Sequence, residues 1–223
     1  MAQTTGHKRK FESAASIITG LLAVVGGLFL IGQALVSHDK FDRWQAAPLV
    51  RETGGFQATS SGSDAVVVGS IDLKNRVTAE GLVVYNQMKQ YSAPLRYRRR
   101  YWTQVSSGRT AFQLRLSDQT IMVYSERAAL LNAQEVLTSL DTKYEGFGPG
   151  QRVTVFGTVV SPRAPFEVRA NMICGGNGEE CLEGFSTAST SFLQMAAIVI
   201  LSGGGIIWLG ARKPRTPPSE LAA

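Results

Sequence analysis

Histidine is nearly missing from this chain: of 223 residues only His7 and His38 carry an imidazole, and both precede the central stretch. That excludes Ser-His-Asp and Cys-His catalysis from the centre of the chain, together with histidine-bearing zinc sites. Cysteine is equally scarce, with Cys174 and Cys181 alone. No Gly-x-Gly-x-x-Gly and no Walker-type glycine–lysine run occurs, so the phosphate cradles built on those loops have no support. Carboxylates are scattered, and the adjacent pair Glu179 and Glu180 sits in a glycine-rich loop poorly suited to acid–base work or to calcium. No catalytic set, metal site or cofactor is therefore expected, and the chain reads as non-enzymatic.

Charge is absent from two stretches, 14–36 and 192–211. As helices rising 1.5 Å per residue, each is long enough to cross a hydrocarbon core roughly 30 Å thick. The first could also be a cleavable signal peptide, with Gly32-Gln33-Ala34 as a small-residue cleavage site. Against that stand the length of the run and a second span that would be left without a partner. The spans are placed at 14–36 and 190–211.

The net charge of +6 at first suggests nucleic acid, but its distribution points elsewhere. Residues 38–189 hold 17 Lys and Arg against 15 Asp and Glu, and the rest of the excess lies on the tails, 1–13 and 212–223. Basic residues beside apolar spans report orientation. Both tails are expected in the cytoplasm and the central domain outside it, in a periplasm, lumen or intermembrane-type space. Nucleic acid is not an expected partner.

Both spans carry glycines at close-packing spacing: Gly20, Gly26 and Gly27 in the first, Gly203, Gly204 and Gly205 in the second. They suit a specific helix pair or docking on another membrane subunit, although glycine is common in membrane helices generally. Residues 37–64 read as an interfacial segment, with Phe41 and Trp44 at headgroup level, followed by a flexible Gly/Ser linker over 54–64. The domain is expected over 65–185.

Within it, runs rich in Val, aromatic and β-branched residues predict strands at 65–71, 77–87, 95–105, 110–117, 120–125, 152–161 and 166–173. In AFQLRL, Phe112, Leu114 and Leu116 share one face while Gln113 and Arg115 share the other. Residues 126–140 alone carry helical spacing, through Ala129, Leu130, Val136, Leu137 and Leu140. The expected fold is two transmembrane helices flanking an all-β, OB-like small barrel with one short helix.

Cys174 and Cys181 bracket GGNGEE at the end of the last strand. On an outer face they favour a structural disulfide, with free thiols the alternative. The most unusual polar run is RYRRRYW. On a strand, Arg96, Arg98, Arg100 and Trp102 point one way, while Tyr97, Arg99 and Tyr101 point the other. Such a face could meet anionic lipid, a ligand, an acidic protein partner or, least of all in an outer compartment, single-stranded nucleic acid, or it could be a solvated face paired with carboxylates such as Asp118 and Glu126.

GSIDLKNRVTAEGLVVYNQMKQY and RYRRRYWTQVSSGRTAFQLRLSDQTIMVYSE, then a helix and PGQRVTVFGTVV, resemble the GIDE-type "beside a membrane" domain over 68–160. That domain occurs in mitochondrial membrane-anchored ubiquitin ligases and in bacterial proteins, in the order span, outer domain, span. The resemblance implies an anchored β-domain held close to a bilayer and used for protein contacts. The ligases carry a RING domain with Cys and His zinc ligands after the second span. Here the residues following it read ARKPRTPPSELAA, so ubiquitin-ligase activity is not expected. The function expected is an accessory subunit, scaffold or assembly factor of a larger membrane protein complex. The alternative is an anionic-lipid or ligand-binding sensor working through the Arg/Tyr/Trp face.

Overall fold

Five strands close on themselves around one apolar core. The structure, a computed structural model, describes residues 4–77, 80–92 and 100–211. The closed set is β2 (Asp64–Ile71), β5 (Phe112–Arg115), β6 (Thr120–Tyr124), β10 (Arg152–Ser161) and β11 (Glu167–Gly175). β2 pairs antiparallel with β5, β5 with β6, β10 with β11 and β10 with β2, and the ring is completed by the parallel pair β6–β11. This circuit is that of an OB-like barrel. Val67, Ile71, Phe112, Leu114, Val123, Val155 and Val168 point inward. Period-two alternation produces this directly, since Phe112 and Leu114 are buried while Gln113 and Arg115 are exposed.

Two insertions build a second sheet. β3 (Val84–Ser92) and β4 (Arg100–Gly108) interrupt the barrel between β2 and β5, while β8 (Gln134–Ser139) and β9 (Thr142–Phe147) lie between β6 and β10. They join in the order β4-β3-β9-β8. Val84 and Phe147 root this sheet in the core, whereas every residue of β4 except Trp102 and Gly108 is exposed.

The helix expected over 126–140 is absent. β7 (Ala129–Leu131) pairs parallel with β11, and β8 pairs with β9. Asn132, between β7 and β8, has a φ of 50°, which interrupts any helix there. Leu137 and Leu140, counted toward a helical apolar face, are 70% and 96% exposed. A helical face needs something to bury against, and here strand pairing supplies the backbone bonds instead.

The stretch expected as a flexible linker also folds. β1 (Leu49–Val50) pairs parallel with β2, and a 3-10 helix (Thr53–Ala58) follows. Phe56 is fully buried and stacks on Phe166 at 5.1 Å. A single aromatic anchors a run whose composition otherwise reads as linker. Trp44, expected at headgroup level, is buried and packs edge-on against Phe156 at 5.7 Å. Arg43 beside it makes a bidentate pair with Asp64.

The helices are longer than the apolar runs. α1 covers Thr4–Ala46 and α2 covers Glu179–Ala211. Both contain segments long and apolar enough to cross a membrane, Ile17–Ala46 and Glu179–Leu209. The chain divides into two compact units, one of residues 1–40 with 185–223 and one of residues 41–184.

Candidate functional site

Within the helical unit, α1 and α2 run side by side through small residues spaced seven apart. Gly20, Gly27 and Ala34 on α1 are buried, as are Ser189, Ala196 and Gly203 on α2. Gly20 lies against Gly203, Gly27 against Ala196, and Ser189 donates a hydrogen bond from Oγ to the Ala34 carbonyl at 3.3 Å. A seven-residue repeat keeps a seam on one face of a pair of supercoiled helices. Large side chains close over the gaps: a Cβ on Gly20 would run into Ile207, and one on Gly27 into Ile200. Of the six glycines singled out from the sequence, Gly20, Gly27 and Gly203 lie in this seam. A Cβ on Gly26, Gly204 or Gly205 would meet none of the described residues of the partner helix within 4 Å. The large apolar side chains turn outward, with Leu22 68% and Phe29 66% exposed and Ile18, Val25, Ile198 and Leu201 likewise exposed.

In the β-domain, Arg100, Tyr101 and Trp102 open strand β4; Arg96, Tyr97 and Arg98 lie outside the described residues. Register places Arg100 and Trp102 on one face of the four-stranded sheet and Tyr101 on the other. On the first face the Lys143 ammonium sits 5.1 Å from the Trp102 ring centroid and pairs with Glu135 at 2.7 Å and Glu145 at 2.6 Å. Burial pushes the Lys143 pKa down, but the hydrogen bonds its ammonium donates to both carboxylates outweigh it, so the group is held above the ordinary lysine value. On the opposite face Tyr85 meets Tyr144 edge-on at 5.4 Å and Tyr91 stacks on Tyr101 at 6.2 Å. Tyr101, Tyr91 and Val105 are exposed here, and Leu140 stands at the β8–β9 turn.

Asp118, a candidate partner for the arginine run, is engaged elsewhere. It accepts hydrogen bonds from the Thr53 backbone N–H and hydroxyl, and these lower its pKa. Nothing local in the sequence marks Lys143 as part of the Trp102 cluster, because the two stand 41 positions apart and meet only through the β3–β9 pairing.

Cys174, at the end of β11, and Cys181, in the first turn of α2, form a disulfide with a Cα–Cα distance of 6.5 Å. Asn132 donates from Nδ2 toward both sulfurs, at 3.8 Å and 3.5 Å. Among the described residues no group of three or more His, Cys, Asp or Glu side chains is arranged to hold a metal.

No family model matches the chain, and no curated protein matches it. Among solved structures, it is similar to the telomere capping protein Ten1 from Saccharomyces pombe, at 10% identity and a TM-score of 0.30. That likeness covers 66% of this chain and 97% of the other.

Proposed function

We propose that this is a two-pass membrane protein whose helical hairpin anchors an extracytoplasmic barrel domain. In this reading it acts without catalysis, as accessory subunit, scaffold or assembly factor of a membrane protein complex. The observation that carries the proposal is the inverted packing of the helix pair. Glycine, alanine and serine fill the seam while leucine, isoleucine and phenylalanine face outward. In water each such outward side chain forgoes about 1.5–3 kcal/mol of burial. In lipid the same arrangement costs nothing, because acyl chains solvate large apolar groups and close backbone approach supplies the attraction. The basic tails then favour a cytoplasmic location for both termini.

Partner contact is assigned to the four-stranded sheet. Among the described residues β4 and β8 are its two open edges, and aromatic or leucine side chains are exposed along it. Exposed edges of this kind are normally shielded unless they bind. The resemblance to the GIDE-type domain points to the same use.

A photo-crosslinking residue placed at Tyr101 or Leu140 tests this in native membranes. The reading expects one discrete adduct from both positions and none from Glu126, which is exposed on the barrel unit. Adducts from all three positions alike, or from none, would count against it.

A further inference from the structure

We infer that the barrel carries a binding site for a phosphate monoester, built from Arg51, Arg115 and Arg152 around Ser70. This site stands apart from the docking sheet and does not rest on that reading.

The register creates it. Ser70 on β2 is opposed on one side by Arg152 of β10 and on the other by Arg115 of β5. Residues directly opposite one another share a face, so the three form a row Arg–Ser–Arg across three strands. At the usual strand spacing the two arginine backbones are about 10 Å apart. Their neighbours Val67 and Ile71 belong to the core, so Ser70 points to the outside of the barrel. A small residue thus sits between two long forked cations.

Arg51 covers the third side. Its carbonyl accepts hydrogen bonds from the Ser117 backbone N–H and from the Ser117 hydroxyl, both at 3.1 Å, which ties it over the end of β5. Together these residues border one concavity of about 320 Å³, at the lower end of the range for small-molecule sites.

The charges there are largely uncompensated. Arg115 pairs with Asp72 at 3.0 Å, and Asp72 is held ionised first by the Lys74 backbone N–H and also by Arg115 itself. Among the described residues, Arg51 and Arg152 have no carboxylate partner. A cleft lined by one sign of charge concentrates counter-anions. Guanidinium forks bind oxyanions in a bidentate manner. The forks of Arg51 and Arg152, the Arg115 donors not turned to Asp72 and the Ser70 hydroxyl exceed what one carboxylate can accept, and they suit a dianion with three free oxygens. A soluble phosphate ester and an anionic lipid headgroup both present that group. Arg51 lies five residues beyond the end of α1, a tether of at most about 18 Å.

The test uses the full chain in phosphatidylcholine nanodiscs, following its unfolding midpoint. One arm adds inorganic phosphate; the other replaces part of the lipid with phosphatidic acid. A saturable rise in at least one arm is expected, because a ligand bound only by the folded state stabilises it. The Arg51→Gln/Arg152→Gln double variant should raise the apparent dissociation constant at least tenfold and leave the unliganded midpoint unchanged. Arg163→Gln, an exposed arginine away from the row, should respond as the unaltered protein does. A response to phosphate alone identifies a soluble ester, and a response to phosphatidic acid alone identifies a headgroup. If neither probe stabilises the protein, or if the double variant responds like the unaltered chain, the inference is overturned.

Discussion

Gly20 and Gly203 meet backbone to backbone: a Cβ on Gly20 would stand 2.7 Å from the Gly203 carbonyl oxygen, and one on Gly203 would stand 2.8 Å from that of Gly20. No side chain fits that gap unless the helices part. A Cβ on Gly204, one residue on, would meet nothing within 4 Å among the described residues outside its own turn of helix. Gly203→Leu should therefore destabilise the helix pair by about 1–3 kcal/mol, the range for overpacking, while Gly204→Leu should be near neutral. Thermal unfolding of the two variants in mild detergent checks the difference. Equal effects would mean that this seam does not set the pairing.

Phe56 tests the folded status of the 54–64 stretch. It is fully buried against Phe166, so Phe56→Ala should cost about 3–5 kcal/mol. Chemical denaturation followed by tryptophan fluorescence measures it. A true linker would register almost no change.

Asp118 gives a pH dependence of definite sign. Its pKa is held below the ordinary carboxylate value, chiefly by the Thr53 hydroxyl. A depressed carboxylate contributes stability above its unfolded pKa, and that contribution is lost as pH falls through the folded value. The loss belongs below about pH 3.8. Asp118→Asn should lower stability at neutral pH and flatten the acid limb of the stability curve. An acid limb of unchanged steepness would contradict this origin.

Lys143 has the opposite sign. Its folded pKa is raised above 10.5 by Glu135 and Glu145. Its contribution is complete below the unfolded value and fades as pH climbs through the folded one. Lys143→Met should therefore remove stability at neutral pH and weaken the decline seen above about pH 10.5. Trp102 fluorescence reports the same site, because the ammonium lies against its ring.

The Cys174–Cys181 bridge closes a loop with a sequence separation of seven. Chain-entropy reasoning assigns such a loop about 2–3 kcal/mol. Replacing both cysteines by serine should lower unfolding stability by that order, and alkylation without prior reduction should leave the unaltered protein unmodified.

Most of the barrel was legible in the sequence, and the reasons are local. Alternation in AFQLRLS states which side chains face the core, and β5 follows it, whereas β10 is buried without a break from Val153 to Gly157 and was marked by its β-branched residues. Residues 126–140 misled because Leu137 and Leu140 carry helical spacing yet bury nothing. Their state is decided by pairing with β9, which no short window contains. Phe56 was hidden by the glycines and serines around it. In the helices the glycines were visible, but not which of Gly26 and Gly27, or of Gly203, Gly204 and Gly205, lies in the seam. That depends on the register of the partner helix. The Arg51, Arg115 and Arg152 cluster was invisible for the same reason: a row across three strands exists only once the barrel closes.

The central claim is a membrane-spanning hairpin with both tails on one side and the β-domain on the other. Its most direct test replaces Cys174 and Cys181 with serine, introduces one new cysteine at a time, and labels intact cells with a membrane-impermeant maleimide. In a periplasmic or surface setting Thr103→Cys, exposed on β4, should be labelled in intact cells and Ser219→Cys in the tail only after permeabilisation. For an organelle membrane the same contrast is read in sealed organelles, where one position is labelled before permeabilisation and the other only after it. Labelling of both positions alike before permeabilisation, or recovery of the protein in the soluble fraction, would contradict the account.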